Sequence, residues 1–285
     1  MTNPVHVIAA TGPVGQSITR ALLDQGTAVI PVVRSANKWT SLGLAAQPRI
    51  ADLTNPGTLK QALADATRII SCAHSRFAPA ILEAAPSSAR YVFLSSTRRY
   101  TRWPNALADG VRRGEAAFIA SGRNGVMLHS TMIYGSRGEN NVQRLVKLLR
   151  RLPVTPLPNG GKSLVQPIYQ DDVTRCVLAA LEIDWQGPHT IIIAGPSPVR
   201  YAEFVTAVAQ AAQLPKPRIV PVPAPLLMAL APLTTVVPFL PTIKPQEVQR
   251  LLEDKNFPIE EMTSMLGVEP VPLDEGLRQM FSEAA

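Results

Sequence analysis

Gly12 and Gly15 stand three residues apart in the segment Ala9-Ala10-Thr11-Gly12-Pro13-Val14-Gly15. The apolar run Val5 to Ala10 precedes them and reads as a strand. A helical spacing follows, with Val14, Ile18, Ala21 and Leu22 on one face and Gly26 as the stop. A tight strand-to-helix turn with glycines lets backbone approach a pyrophosphate, and the helix start offers N–H groups and a positive dipole end. The second chemical signal lies at the end of the next predicted strand, Ala28 to Val33. Arg34 follows it directly, Lys38 comes four residues later, and no acid is near. In a dinucleotide site an acid at this point takes the ribose hydroxyls, whereas an arginine fork takes a 2′-phosphate. Arg34 and Lys38 therefore point to NADP rather than NAD. An ordinary surface arginine is the alternative.

The elements that would position these residues alternate regularly. Strands are predicted at Arg49–Leu53, Arg68–Ala73, Tyr91–Ser95 and Gly125–His129, with helices over 56–65, 77–85 and near 110–121. This alternation implies parallel βαβ units with right-handed crossovers. Pro31 counts against full pairing of the second strand. The later chain is less regular. A basic amphipathic helix is expected over 140–151, further helices over Asp171–Glu182 and Tyr201–Gln213, and a strand over His189–Ala194. Terminal helices follow at 245–254 and 273–281. The fold class expected is α/β, a Rossmann-type doubly wound parallel sheet with a smaller proline-rich C-terminal substrate lobe. Residues 1–150 form the nucleotide domain, with a late strand returning from about 163–195, and 151–285 form mainly the lobe.

Composition narrows the classes. Of 285 residues 46% are hydrophobic and 17% charged, which excludes disorder as the main state. Two cysteines, Cys72 and Cys176, exclude a disulfide scaffold, and four scattered histidines suggest no metal cluster. Eight of the 27 prolines precede residue 150 and nineteen follow it, marking two differently built halves. The N-terminus reads as a first strand rather than a signal peptide, and a cytoplasmic location is expected. Net charge is +7, but residues 98–151 alone carry +8 and residues 152–285 carry −5. No aromatic-interleaved basic motif supports nucleic-acid binding, and a solvated basic face is the alternative reading. Arg144, Lys147, Arg150 and Arg151 form such a face or help bind an anionic substrate. Residues 219–243 hold no charge and six prolines. The prolines argue against a spanning helix of ~20 residues. The segment reads as core or pocket lining, with a peripheral membrane contact or an apolar substrate site as alternatives.

Several further segments carry a resemblance. The turn at 9–15, Asp52-Leu53, Leu94-Ser95-Ser96-Thr97, the run His129 to Gly135, and Gly160-Gly161 followed by Gln166 to Val173 resemble the short-chain dehydrogenase/reductase superfamily. The likeness is to its extended and atypical branch, the epimerase/dehydratase type, and covers about residues 5–280. It implies that Thr11, Gly12, Val14 and Gly15 hold the pyrophosphate, Arg34 meets the adenosine end, and Asp52 and Leu53 flank the adenine. Ala73 and His74 would lie near the nicotinamide ribose, Thr131 and Met132 near the nicotinamide, with Ser95 beside the cofactor. Ala9 departs from the family, which usually has its first glycine there. An added methyl is expected to leave the turn intact.

The chemical centre departs further. Family enzymes pair a Ser/Thr with a tyrosine general acid/base and a lysine four residues after it. Thr97 aligns with the Ser/Thr. The Tyr and Lys places fall at Leu107 and Val111, or at Ala108 and Arg112 in the next register. No tyrosine of the chain has a lysine four residues later. Tyr100, three residues past Thr97 and set near Arg98, Arg99 and Arg102, is the best candidate for a substitute proton donor, with a structural loop tyrosine as the alternative reading. Tyr134 and Tyr169 read as structural and His129 as a plain strand residue. Asp171 and Asp172 read as helix-start acids rather than a metal pair. Two functions follow. One is an NADP-dependent oxidoreductase acting on an unidentified, apolar small molecule. The other is a non-catalytic NADPH-binding regulatory or assembly protein, similar to the accessory subunit of respiratory complex I and to NmrA-type regulators.

Overall fold

The computed structural model describes residues 3–135, 141–152, 154–232 and 244–282. The first stretch alternates strictly: β1 (Val5–Ile8), α1 (Pro13–Asp24), β2 (Val29–Val33), α2 (Ala36–Thr40), β3 (Arg49–Ile50), α3 (Pro56–Leu63), β4 (Arg68–Ser71), α4 (Ala78–Ala84), β5 (Arg90–Ser96), α5 (Ala106–Ala120) and β6 (Gly125–Ser130). Then come β7 (Ile133–Tyr134), α6 (Asn141–Leu149), β8 (Thr155–Pro158), β9 (Leu164–Val165), β10 (Ile168–Tyr169), α7 (Gln170–Glu182), β11 (Pro188–Ile193), β12 (Val199–Arg200), α8 (Tyr201–Ala211), β13 (Ile219–Val222), α9 (Ala224–Leu230), α10 (Pro245–Arg250), α11 (Glu260–Leu266) and α12 (Leu273–Ser282). The chain divides into two compact units. The first holds Met1–Ser130, Asp171–Ile193 and Ile259–Val268, and the second holds Thr131–Gln170, Ala194–Pro258 and Glu269–Ala285.

The first unit is built on a seven-stranded sheet in the order β11-β6-β5-β4-β1-β2-β3. Every pairing is parallel. β1 lies between β2 and β4, so the chain leaves β1 in one direction and later resumes on its other side. A crevice opens outside the carboxyl ends of strands at such a switch point, where ligands of this fold class sit. All four β1 residues are buried, as expected of a strand covered on both faces. Tyr91 stacks on Phe93 at 5.4 Å, and Phe118 of α5 meets Phe93 edge-on at 5.1 Å, which locks α5 to the sheet.

Pro31 is accommodated inside β2. Val5 and Ala9 donate to the Ala28 and Val32 carbonyls, while Ala51 donates to Val33. The odd-numbered positions of β2 thus face β3, and Pro31 lies ahead of the point where that two-residue strand begins. No ladder bond is lost. β3 ends at Ile50, three residues before the expected end, because Asp52 and Asn55 turn the chain: Asp52 accepts from Thr54, and Asn55 caps α3. α5 begins at Ala106, four residues before the expected start, with Asn105 accepting from the Leu107 and Ala108 N–H groups.

The second unit has its own core. Tyr134, Val142, Tyr169, Phe204, Val208 and Leu277 are among its buried members. Its strands have two to four residues and pair two by two: β7 with β10, β9 with β12, and β8 with β13. Strands this short give no alternation long enough to read. The expectation that 219–243 lines a core or pocket is met on one side only of its described part, where Ile219 packs on this core. Ala224 and Ala231 are buried, but Val220, Leu226 and Leu230 are 40–50% exposed. Residues 233–243 lie outside the described residues.

Ala9, directly after β1, is a backbone exception. It has a φ of +60°, one of three positive-φ residues other than glycine among those described. A Cβ in this region costs about 1 kcal/mol relative to glycine. The departure at Ala9 therefore acts through backbone strain rather than bulk. Ala9→Gly is expected to raise stability by about 1 kcal/mol. Gly15→Ala, whose methyl would sit 2.6 Å from the Ala9 carbonyl oxygen, should lower it by ~1–3 kcal/mol. Urea unfolding of the two variants checks both signs.

Candidate functional site

The β1–α1 turn is closed by the Gly12 N–H donating to the Ala9 carbonyl at 3.0 Å. Gly12 is the N-cap of α1, no side chain caps the helix, and Pro13 occupies the first helical position. The first N–H groups of a helix lack intrahelical acceptors. Pro13 has none to offer, so Val14 and Gly15 present theirs outward beside the positive end of the helix dipole. A Cβ at position 15 would also lie 2.9 Å from the Ala10 Cα. Only glycine lets α1 start this close to β1. Gln16 Nε2 donates to the Thr11 carbonyl at 2.8 Å and holds the turn from the helix side. The donors and the open glycine edge fit a pyrophosphate.

The flank beyond β2 is cationic. Arg34 and Lys38 are exposed, and Ser35 caps α2 by accepting from the Lys38 N–H at 3.3 Å. Trp39, next to Lys38, is buried and donates to the Ala46 carbonyl at 2.8 Å. The Asp52 carboxylate accepts from the Thr54 N–H at 2.8 Å and hydroxyl at 2.7 Å. Those bonds, and secondarily Arg34 nearby, hold it below the usual carboxylate range. Leu53 packs against the core of the unit.

Beyond β4 and β5 lies a buried polar layer. Ala73 is buried. His74 caps the turn at 75–77, its Nδ1 accepting from the Arg76 N–H at 3.1 Å. Burial first, then the charges of Arg76 and Arg98, lower the pKa of this imidazole. Ser75 donates to the Ser95 hydroxyl at 2.6 Å, Ser130 to the Ser95 carbonyl at 2.9 Å, and Thr97 to the Ser130 carbonyl at 3.2 Å. Thr97 is 7% exposed and Tyr100 49%. The Arg99 guanidinium lies over the Tyr100 ring at 4.9 Å.

The same arginine pairs with Glu115, a carboxylate buried on the inner face of α5. His129 Nε2 lies 3.3 Å from Glu115 Oε2, and its ring stands edge-on to Tyr100 at 6.3 Å. Arg112 spans the loop above, donating to the Arg99 carbonyl at 2.9 Å and the Thr101 carbonyl at 2.6 Å. The α5 face that carries the family's tyrosine and lysine holds neither. It packs so closely on the turn at 75–77 that a Cβ at Gly114 would meet the Ser75 carbonyl. Sequence reasoning missed Glu115 as part of a cluster. The available signal was its phase, since Ala108, Val111, Glu115 and Phe118 recur at helical spacing and all four are buried.

Thr131 and Met132 begin the second unit. The Met132 carbonyl accepts from the Ile168 N–H at 2.9 Å, and Met132 packs on that unit's core. Tyr134 and Tyr169 are buried with rings 5.4 Å apart. Asp171 and Asp172 both lie in the first turn of α7, and Asp172 pairs with Arg175. Arg144 of α6 pairs with Glu247 at 3.2 Å, while Lys147, Arg150 and Arg151 are exposed. Among the described residues no helix is long and apolar enough to cross a membrane.

Residues 9–123 match a family model described as NAD(P)H-binding. Three solved structures are similar over 98% of the chain. Triphenylmethane reductase from Citrobacter sp. has a TM-score of 0.77 at 16% identity, covered over 100% of its length. UDP-glucuronic acid 4-epimerase from Bacillus cereus, solved with UDP-glucuronic acid and NAD, has 0.75 at 16%, covered over 98%. UDP-glucose 4-epimerase from Thermotoga maritima has 0.74 at 14%, covered over 98%. The chain shares the fold of these three proteins. An uncharacterized protein of Mycobacterium tuberculosis and one of Mycobacterium bovis are each 26% identical over 234 residues, 78% of this chain. The chain spans about a quarter of the length of these relatives, 24%.

The buried cluster gives a pH signature. Burial, then the Arg99 charge, push His129 down to about 4 from its ordinary 6.5. Arg99 already neutralises Glu115, so the ring gains little from that carboxylate. The unfolded chain takes up the proton first as pH falls, so this group's contribution is complete above pH 6.5 and is lost as pH drops toward 4. His129→Gln should flatten the fall of unfolding free energy across that window. Parallel profiles for wild type and variant would place the titration elsewhere, for instance at buried His6, also lowered by burial.

Proposed function

We propose that this chain binds NADP(H) in preference to NAD(H) and is an oxidoreductase in which Tyr100 transfers the proton. The observation that supports the cofactor reading is the cationic flank after β2, with Arg34 and Lys38 exposed and no acid adjoining them in the sequence, although the Asp52 carboxylate lies within reach of the Arg34 charge. The Thr11–Gly15 turn would hold the pyrophosphate through the Val14 and Gly15 N–H groups, and Arg34 with Lys38 would take the 2′-phosphate. Asp52 and Leu53 would flank the adenine, with Ala73, His74 and Ser95 along the nicotinamide end. When bound, the dinucleotide supplies or accepts the hydride. Tyr100 is exposed on the loop at the strand ends, and Arg99 and Arg112 fix that loop's backbone and ring.

A second reading, NADPH binding without turnover, is supported by Thr97. Its hydroxyl is spent on the Ser130 carbonyl, and α5 offers no tyrosine or lysine. Acceptor chemistry separates the two. Reducing a carbonyl or enone requires a proton as well as a hydride. A conjugated cation, such as the triphenylmethane dyes named for one structural neighbour, is neutralised by hydride alone.

Titration with NADPH and NADH, followed by tryptophan quenching, tests the cofactor reading, with buried Trp39 beside Lys38 as the reporter. NADPH should bind more tightly, and Arg34→Glu should weaken NADPH about tenfold or more while changing NADH less. Equal losses for both would sink the NADP assignment. With bound NADPH, Tyr100→Phe should lower carbonyl reduction ~10²-fold or more and leave hydride transfer to a triphenylmethane dye unchanged. NADPH binding with no turnover of either acceptor class would establish the second reading.

A further inference from the structure

Two arginine-bearing turns meet at the carboxyl ends of β4 and β5. The two strands are parallel neighbours, with Ser71 opposite Phe93. The turns that follow them are tied together by the Ser75 hydroxyl, which donates to the Ser95 hydroxyl at 2.6 Å. Arg76 comes directly after Ser75, and Arg98 shares the turn at 97–100 with Tyr100. A Cβ at Gly110 of α5 would stand 3.1 Å from both the Arg76 Cβ and the His74 Cε1, so the first turn is pressed against the start of α5. The Arg76 and Arg98 charges both reach the His74 imidazole. After burial they are what lowers its pKa, and no carboxylate acts against them there.

Acids along this stretch are few and already engaged. From Ser95 to Glu115 the sequence has five arginines and two acids. Glu115 is paired with Arg99, and Asp109 with Arg112 at 2.8 Å. Arg76 is exposed, its guanidinium lies over the Phe77 ring at 4.7 Å, and among the described residues it has no carboxylate partner. Two guanidiniums converging on one imidazole repel each other, and an anion between them relieves that cost. A crevice lined by one sign of charge also concentrates ligands of the opposite sign. The anionic groups of a dinucleotide have other partners: the Thr11–Gly15 turn would take the pyrophosphate, and Arg34 with Lys38 the 2′-phosphate. With strands ~4.8 Å apart, the end of β5 lies two strands, ~10 Å, from the end of β1 and its glycine turn. An anion held beside Arg76 and Arg98 therefore belongs to the substrate.

We propose that Arg76 and Arg98 form an anion subsite, which receives a carboxylate or phosphate group of the substrate and turns its carbonyl toward Tyr100. The substrate role rests on the oxidoreductase reading, whereas the anion site itself does not require it.

Isothermal titration of the full chain, without cofactor, tests this with two matched pairs: benzoylformate against acetophenone, and dihydroxyacetone phosphate against dihydroxyacetone. At least one anion should bind about tenfold or more tightly than its neutral analogue, and its affinity should fall with added salt. The pair that shows the difference decides between carboxylate and phosphate. Arg76→Gln and Arg98→Gln should each weaken that anion about tenfold and leave the neutral analogue unchanged. Arg98→Lys, which keeps the charge, should lose less. Arg76 is exposed, so an unchanged midpoint of thermal unfolding shows that its variant folds. Arg90→Gln, at the opposite end of β5, and Arg34→Glu, at the 2′-phosphate end, should change anion binding less than about twofold. No cofactor is present in these titrations, so a failure of NADPH to bind would count against the cofactor reading alone. Anions that bind no better than their neutral analogues overturn the proposal. So does a loss in Arg90→Gln or Arg34→Glu as large as that in Arg76→Gln.

Discussion

The close approach of α1 to β1 is the constraint on which the nucleotide-binding half depends. A parallel sheet ordered with β1 between β2 and β4 opens its crevice at the ends of those strands, and α1 must begin at that point to aim its N–H groups into it. Gly15 makes this possible because a methyl there would collide with backbone on Ala9 and Ala10. Ala9 bears the cost, holding a left-handed conformation without being glycine. Strain of this kind clusters at functional sites, and here it lies next to an open donor set.

The second feature is a polar cluster in a place where the fold could have been apolar. Glu115, Arg99 and His129 bring two ionic groups and a neutral imidazole together beside Tyr100. Burying such a pair contributes little net stability, since desolvation offsets the Coulomb gain. Its effect is positional: Arg99, held from below by Glu115, fixes the Tyr100 ring from one side, and Arg112 fixes the loop backbone. Gly114 lets α5 sit tightly on the turn at 75–77, and the helix carries neither tyrosine nor lysine.

The two units differ in how they were built and therefore in how they read. In the first, every strand but the two-residue β3 runs over four or more residues, and the alternation is legible down to β6. In the second, strands of two to four residues pair two by two, and the helix at 224–230 carries three leucines and no charge, which reads as core although two of them face outward. Hydrophobicity tells that a residue can be buried, not whether a partner is present to bury it. α2 and α11, short and weakly patterned, were not anticipated for the same reason.

What the sequence determined by itself is local: the succession of strands in the first unit, the glycine turn between β1 and α1, the cationic end of β2, and the absence of a tyrosine–lysine pair. Each rests on residues within a few positions of one another, where periodicity, capping and turn chemistry act. What only the tertiary structure decided is the conformation at Ala9, the meeting of Arg99, Glu115 and His129, the capture of the Thr97 hydroxyl by Ser130, and the outward turn of α9. These depend on contacts between residues far apart in the chain, or on which face of an element finds a partner. No composition or spacing specifies such contacts until the sheet has brought the segments together.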